Sequence, residues 1–187
     1  PAFGKRNYAI FGYSGPDRNM GSADGWKFTP LAGSDDLVQP STVHLNNSWL
    51  TFFRDRRAKH IYASQGKDAE ASHWDKPKPT QLPNNNAGIE ANLLTNGHIV
   101  LVFNPQTSGR DPLAIGISKD QGKSWSCKRN LQHGVSAEEL QKKKHNNEFS
   151  YPTVLQTKDG SIHVMYTYLR QTIKYKRVTE DWICNGQ

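Results

Sequence analysis

Long apolar runs are missing from this sequence: no stretch approaches the ~20 consecutive apolar residues of a membrane span, and no membrane association is expected. Nothing signal-like opens the chain, and Pro1 as first residue reads as a mature, tagged or truncated product. Cysteine is scarce. Cys127 and Cys184 are too few for a disulfide scaffold and lack metal-ligand spacing, so neither metal nor cofactor is expected. They read first as free core thiols and second as a single bridge; this leaves the compartment open, with a secreted or cell-surface setting as the reading adopted. Acidic charge is the minority, 17 Asp and Glu against 24 Lys and Arg, for a formal net charge of +7. That balance suits an anionic partner, but no nucleic-acid-binding module is recognisable, so an acidic sugar is the better fit. The densest basic cluster, Lys142-Lys143-Lys144, reads as a solvated loop. Asn46-Asn47-Ser48 matches a glycosylation sequon, a pattern that chance produces often.

What the chain does have is punctuation. Ten prolines, fifteen glycines and five tryptophans favour many short strands joined by turns. Three copies of one unit follow when strand pairs are aligned on their turns. Ser41–Leu45 leads through Asn46-Asn47 into Trp49–Phe53; Ala91–Leu94 leads through Asn96-Gly97 into Ile99–Phe103; Thr153–Gln156 leads through Asp159-Gly160 into Ile162–Tyr166. Asn-Gly and Asp-Gly between β-rich segments are strong hairpin signals. A third strand follows each hairpin, at His60–Ser64, Leu113–Ile117 and Thr172–Lys176, and a fourth is expected to open on Trp74 and Trp125. The repeat of about 50 residues falls in the range of four-stranded propeller blades.

Ser118-Lys119-Asp120-Gln121-Gly122-Lys123-Ser124-Trp125 has the form S-x-D-x-G-x-x-W. Asp120 can accept hydrogen bonds from turn amides, Gly122 permits a positive φ, and Trp125 can pack between neighbouring sheets. This octapeptide resembles the Asp-box of sialidase-like β-propellers. The expected fold is therefore all-β: a β-propeller of sialidase type, six-bladed when complete, with about three to four four-stranded blades present. Residues 1–36 read as a partial blade with Asp24-Gly25-Trp26 as a degenerate Asp-box, 37–83 as a blade, and 84–132 as the blade with the Asp-box. An insert at 133–147 holds a short helix capped by Ser136-Ala137-Glu138-Glu139, and 148–187 is the C-terminal blade. Such a set leaves two edges open, so the remaining blades are expected from a missing N-terminal half or another chain. A self-contained β-sandwich of the same strands is the rival reading.

In an antiparallel hairpin the start of the first strand lies beside the end of the second. Gln39 should then neighbour Arg54, Glu90 should lie near Asn104 and the loop carrying Arg110, and Tyr151 should lie near Thr167 and Tyr168. The Asp-box falls at the other end of its blade, which makes Ser118, Asp120, Gly122 and Trp125 structural. From about Val38 to Arg177 the chain resembles the C-terminal half of the sialidase (neuraminidase) superfamily, BNR-repeat type. Phe53-Arg54-Asp55-Arg56 resembles the segment supplying the second arginine of the sialidase triad. Phe103-Asn104-Pro105-Gln106-Thr107-Ser108-Gly109-Arg110 resembles the loop supplying the third, and Glu148-Phe149-Ser150-Tyr151-Pro152 the segment with the nucleophilic tyrosine.

The resemblance implies that Arg54 and Arg110 bind a sugar carboxylate and that Tyr151 attacks the anomeric carbon. Guanidinium forks suit carboxylates, and sialidases are the exception with a Tyr nucleophile among two-carboxylate glycosidases. Gln39, Asn104 and Arg170 are further candidate ligands. The family's tyrosine-activating glutamate is replaced by Gln39, so Glu90 is the expected base, with Glu148 as the alternative. The family's first arginine and acid/base aspartate belong to blades this chain does not contain, so this polypeptide alone is not expected to hydrolyse a glycoside. Two other functions stay open: a non-catalytic propeller that binds acidic glycans, and a polysaccharide lyase acting on uronic-acid polymers.

Overall fold

The computed structural model describes residues 9–13, 26–68, 71–136, 138–139 and 147–185, with side chains described from residue 29 onward. β1 (Ala9–Tyr13) and β2 (Trp26–Thr29) form a two-stranded sheet. β3 (Leu37–Leu45), β4 (Ser48–Asp55), β5 (His60–Gly66) and β6 (Lys78–Pro83) form the next, in sequence order. β7 (Glu90–Leu93), β8 (Ile99–Phe103), β9 (Leu113–Ser118) and β10 (Cys127–Gln132) form a third. The last sheet has three strands, β11 (Phe149–Gln156), β12 (Ile162–Tyr168) and β13 (Thr172–Val178), followed by the helix α1 (Glu180–Asn185). All pairings are antiparallel meanders. In the last copy α1 follows the third strand, and the sheet has no fourth strand among the described residues. Trp74 and Trp125 precede β6 and β10 rather than opening them, Trp74 bridging back to Gly66.

Binary patterning explains the stacking. The central strands β8 and β9 are buried at every position, as expected for strands covered on both faces. Ile99, Leu101 and Phe103 point into one core shared with Phe52, Ile61 and Leu82 of the preceding sheet. Val100 and Val102 point into a second core shared with Val154, Val164 and Tyr166 of the following sheet. Alternation at period two thus assigns one strand to two cores. The first strands adjoin in turn, β3 beside β7 and β7 beside β11.

The Asp-box is a turn that clasps two sheets. Asp120 Oδ1 accepts from the Ser124 amide (2.8 Å), Ser118 Oγ donates to Asp120 (2.8 Å), and the Gly122 amide donates to Ser118 Oγ (2.7 Å). These donors, the Ser124 hydroxyl and amide foremost, hold the Asp120 carboxyl down at about 2. Gly122 has φ +83°, and a Cβ there would sit 3.0 Å from Leu50 and 3.1 Å from Phe52 of the neighbouring sheet. Trp125 is buried, its ring edge-on to Phe52 at 5.8 Å. A second turn of this chemistry carries no glycine signal: Asp68 accepts from the amides of Ser72 and His73 just before Trp74.

The cysteines correct the first expectation. Cys127 of β10 and Cys184 of α1 form a disulfide, with Cα atoms 4.7 Å apart. The helix is drawn onto the sheet by Ile183, and Trp182 stacks under the Arg129 guanidinium at 4.0 Å. In the 133–147 insert, Ser136 and Glu139 make the reciprocal hydrogen bonds of a capping box. Lys142-Lys143-Lys144 and Asp24-Gly25 lie outside the described residues.

Candidate functional site

Gln39 and Tyr151 occupy matching places in β3 and β11. Each precedes a proline, each sits at a break in register with the next strand, and each has a left-handed backbone, φ +49° and +51°. Proline cannot donate to the ladder, so the strand bulges there. A positive φ in a non-glycine residue before proline is strained. The bulge turns both side chains out at the same end of their sheets.

Gly88 completes that meeting point: a Cβ on it would lie 2.9 Å from Tyr151 Cδ1 and 3.6 Å from Gln39 Oε1. The Tyr151 ring therefore rests on bare backbone from the loop before β7. Arg54, at the end of β4, donates from Nη1 to Gln39 Oε1 at 2.6 Å, while its Nε is buried without a partner. Arg110 donates from Nη2 to the Tyr151 hydroxyl at 3.3 Å, and its guanidinium carbon lies 4.9 Å from the ring centroid.

Glu148 anchors the other side. It is 4% exposed. Its Oε1 accepts from Arg110 Nη1 (2.5 Å) and Ser150 Oγ (2.7 Å), and its Oε2 accepts from Arg170 Nε (2.5 Å). The backbone is tied in parallel, Phe149 N to Arg110 O and Leu169 N to Glu148 O. Burial alone would raise the Glu148 carboxyl, but Ser150, Arg170 and Arg110 together hold it below the ordinary range. Burial would likewise depress Arg110, and its bonds to Tyr151 and Glu148 reverse that, so it stays charged. Burial pushes the Tyr151 phenol up; Arg110 first and Arg54 second outweigh it and leave the phenol below its usual value. One half-exposed phenol thus sits beside two guanidiniums.

A family model described as a BNR repeat-like domain matches residues 6–164. The chain belongs to the BNR repeat-like family. No curated protein matches it in sequence. Among solved structures, the intramolecular trans-sialidase of Ruminococcus gnavus bound to oseltamivir carboxylate is similar at TM-score 0.63 and 16% identity, over 88% of this chain and 37% of that one. The NanB sialidase of Streptococcus pneumoniae is similar at TM-score 0.67 and 15% identity, over 87% of this chain and 26% of that one. The α-L-arabinanase of Penicillium chrysogenum with arabinobiose gives TM-score 0.57 and 16% identity, over 96% of this chain and 52% of that one. The BNR repeat-like chain thus spans 26–37% of the length of these two sialidase chains.

Two candidate residues of this BNR repeat-like chain stand apart from the cluster. Glu90, expected as the base, opposes Val102 and finds its hydrogen-bond partner in Ser41; burial raises its carboxyl and Ser41 opposes the rise. No hydrogen bond joins it to Tyr151, and the carboxylate at the site is Glu148. Asn104, expected as a ligand, is fully buried, with its amide nitrogen donating to the carbonyls of Pro112 and Phe149. These two bonds tie the loop after β8 to β11, while Asn104 Oδ1 is buried without a partner.

Further braces went unread in the sequence. Asn84, fully buried, accepts from the Asp55 amide beside Arg54, and Asn85 donates to the Gly109 carbonyl beside Arg110. Their only signal is the run Asn84-Asn85-Asn86 before a glycine. Ser150 and Gly88 carried no signal at all. Among the described residues no group of three or more His, Cys, Asp or Glu is placed to hold a metal.

Proposed function

We propose that this chain forms the carboxylate-recognising part of a sialidase-like glycoside hydrolase site, on blades of a propeller completed by polypeptide beyond these residues. The adjacency of β3, β7 and β11 supports a fan of sheets about one axis. The observation that carries the functional reading is the Tyr151 hydroxyl lying against Arg110, with Arg54 as a second guanidinium acting on it. The Arg54–Arg110 pair binds the carboxylate of a sialic acid or related sugar, which places the anomeric carbon over Tyr151. Tyr151 gives its hydroxyl proton to solvent water, its oxygen attacks that carbon as the glycosidic bond breaks, and the departing oxygen takes a proton from an acid on another blade. Water then releases the sugar and restores the phenol, giving retention. A neutral nucleophile avoids repulsion by the substrate's own anion, and the two guanidiniums favour its ionised form.

The test is turnover of an aryl sialoside by the complete protein beside Tyr151→Phe and Arg110→Ala. Tyr151→Phe is expected to lose at least a hundredfold in kcat, and Arg110→Ala to raise KM as well. Equal rates in all three would remove this assignment.

One observation favours a second reading, acidic-glycan binding without turnover. Gln39 stands where a proton acceptor for Tyr151 is needed, and its amide oxygen is engaged by Arg54. Saturable binding of sialic acid with no product released, under conditions where the complete protein is folded, selects that reading.

A further inference from the structure

The site holds more positive charge than one carboxylate ligand can use. Three guanidiniums, Arg54, Arg110 and Arg170, meet a single acid, Glu148, which leaves two positive charges unbalanced in the cluster. Asp111, next to Arg110 in sequence, is turned away to the Gly134 amide and His133. The position from which one carboxylate chelates both Arg110 and Arg170 is already filled, by Glu148 itself. A ligand anion is left with either the Arg54–Arg110 pair or the outward end of Arg170, and cannot gather all three.

Arg170 is built to stay where it is. It lies in the tight turn between β12 and β13 with φ +57°, and Leu169 before it has φ +55°. The Leu169 amide is bonded to the Glu148 carbonyl and the Gln171 amide to the Tyr168 carbonyl. Only Nε of the Arg170 side chain is engaged; the side chain is 61% exposed, and its two terminal nitrogens have no protein partner among the described residues. A guanidinium pinned at Nε with its terminal nitrogens in solvent is preorganised for an oxyanion.

We propose that the site has two separate anion subsites, one at Arg54 and Arg110 beside Tyr151 and one at Arg170, so its ligand is an acidic oligosaccharide charged on neighbouring sugars. This rests on the reading above that Arg54 and Arg110 hold a sugar carboxylate. Glu148 is the positioning residue between the subsites: it keeps the two guanidiniums apart and fixes both forks. A monomeric acid fills one subsite; a dimer fills both.

Calorimetric titration of the complete protein, in a Tyr151→Phe background that prevents turnover, tests it. The probes are N-acetylneuraminate against its linked dimer, and galacturonate against digalacturonate. The dimer of the preferred sugar is expected to bind about tenfold tighter than its monomer at low salt, with the ratio shrinking as salt is raised. Arg170→Ala should bring that ratio to about one, Arg170→Lys should keep part of it, and Arg110→Ala should weaken monomer and dimer together. A ratio near one before substitution, or a tenfold ratio that survives Arg170→Ala in a variant with an unchanged circular-dichroism spectrum, overturns the two-subsite inference alone. Failure of every monomer and dimer to bind overturns the carboxylate reading with it.

Discussion

At the residue scale, the site depends on what is absent at position 88. Tyr151 is held by Arg110 on one side and rests on Gly88 on the other. Adding a methyl group there puts a carbon 2.9 Å from the ring, closer than carbon atoms pack, and the ring must move. Gly88→Ala is therefore expected to weaken turnover or sugar binding by tenfold to a hundredfold, on the order expected for ~1 Å of misplacement. Its melting temperature should move by no more than a few degrees. Unchanged binding would show that Tyr151 keeps its place without this contact. Gly88 was invisible in the sequence because its role is a close approach between loops from different sheets. The contacts of Arg54 with Gln39 and of Arg110 with Tyr151 join residues that each lie in a short segment with its own pattern of neighbours, which is why those residues stood out in the sequence. The partner of Glu90 was not legible for a related reason: β3 packs against β7, and its Ser41 takes up the Glu90 carboxyl.

At the scale of elements, the two ends of each sheet do different work. The Asp-box end is a clasp: its carboxylate organises a turn and its tryptophan fills the gap between sheets. The opposite end carries the bulges of Gln39 and Tyr151. The last sheet is followed by α1, and the Cys127–Cys184 bond fastens that helix to β10 across a sequence separation of 57. Closing a loop of that length restricts the unfolded chain, so Cys184→Ser is expected to cost about 2–4 kcal/mol and to lower the melting temperature by roughly 5–15 °C. Thermal unfolding with and without reductant measures it, and the variant should show no reductant effect. An unchanged midpoint would mean that Ile183 and Trp182 hold the helix unaided. Two cysteines 57 apart carry no pairing information in the sequence; only the docking of α1 against β10 brings them together.

At the scale of the whole molecule, one sheet face has no neighbour among the described residues. On β11 to β13, Leu155, Met165, Ile173 and Tyr175 are 46%, 45%, 63% and 55% exposed, and Met165 lies directly beside Tyr175. The opposite face of the same sheet is buried against β8 and β9. A contiguous row of exposed apolar side chains is uncommon on the surface of a monomeric protein. The double substitution Met165→Glu with Tyr175→Glu should leave the melting temperature of this chain within a few degrees and reduce its light scattering on heating. In the complete protein, where we propose that a further blade covers this face, the same change should destabilise by several kcal/mol. Equal tolerance in both proteins would show that the face is open in each.

The sequence by itself determined the local geometry: where the chain turns, which residues alternate along each strand, and which octapeptide makes the clasp. Those features depend on backbone conformation and on neighbours within one hairpin, and a single segment carries them. Tertiary structure alone decided what shares a pocket. Gly88 and Arg110 meet Tyr151, with Gln39 and Arg54 beside them, because three sheets are set side by side, and that placement depends on side chains from distant segments interlocking between them. The charge of the site was decided there as well, because a guanidinium's surroundings are set by whatever other strands bring to it.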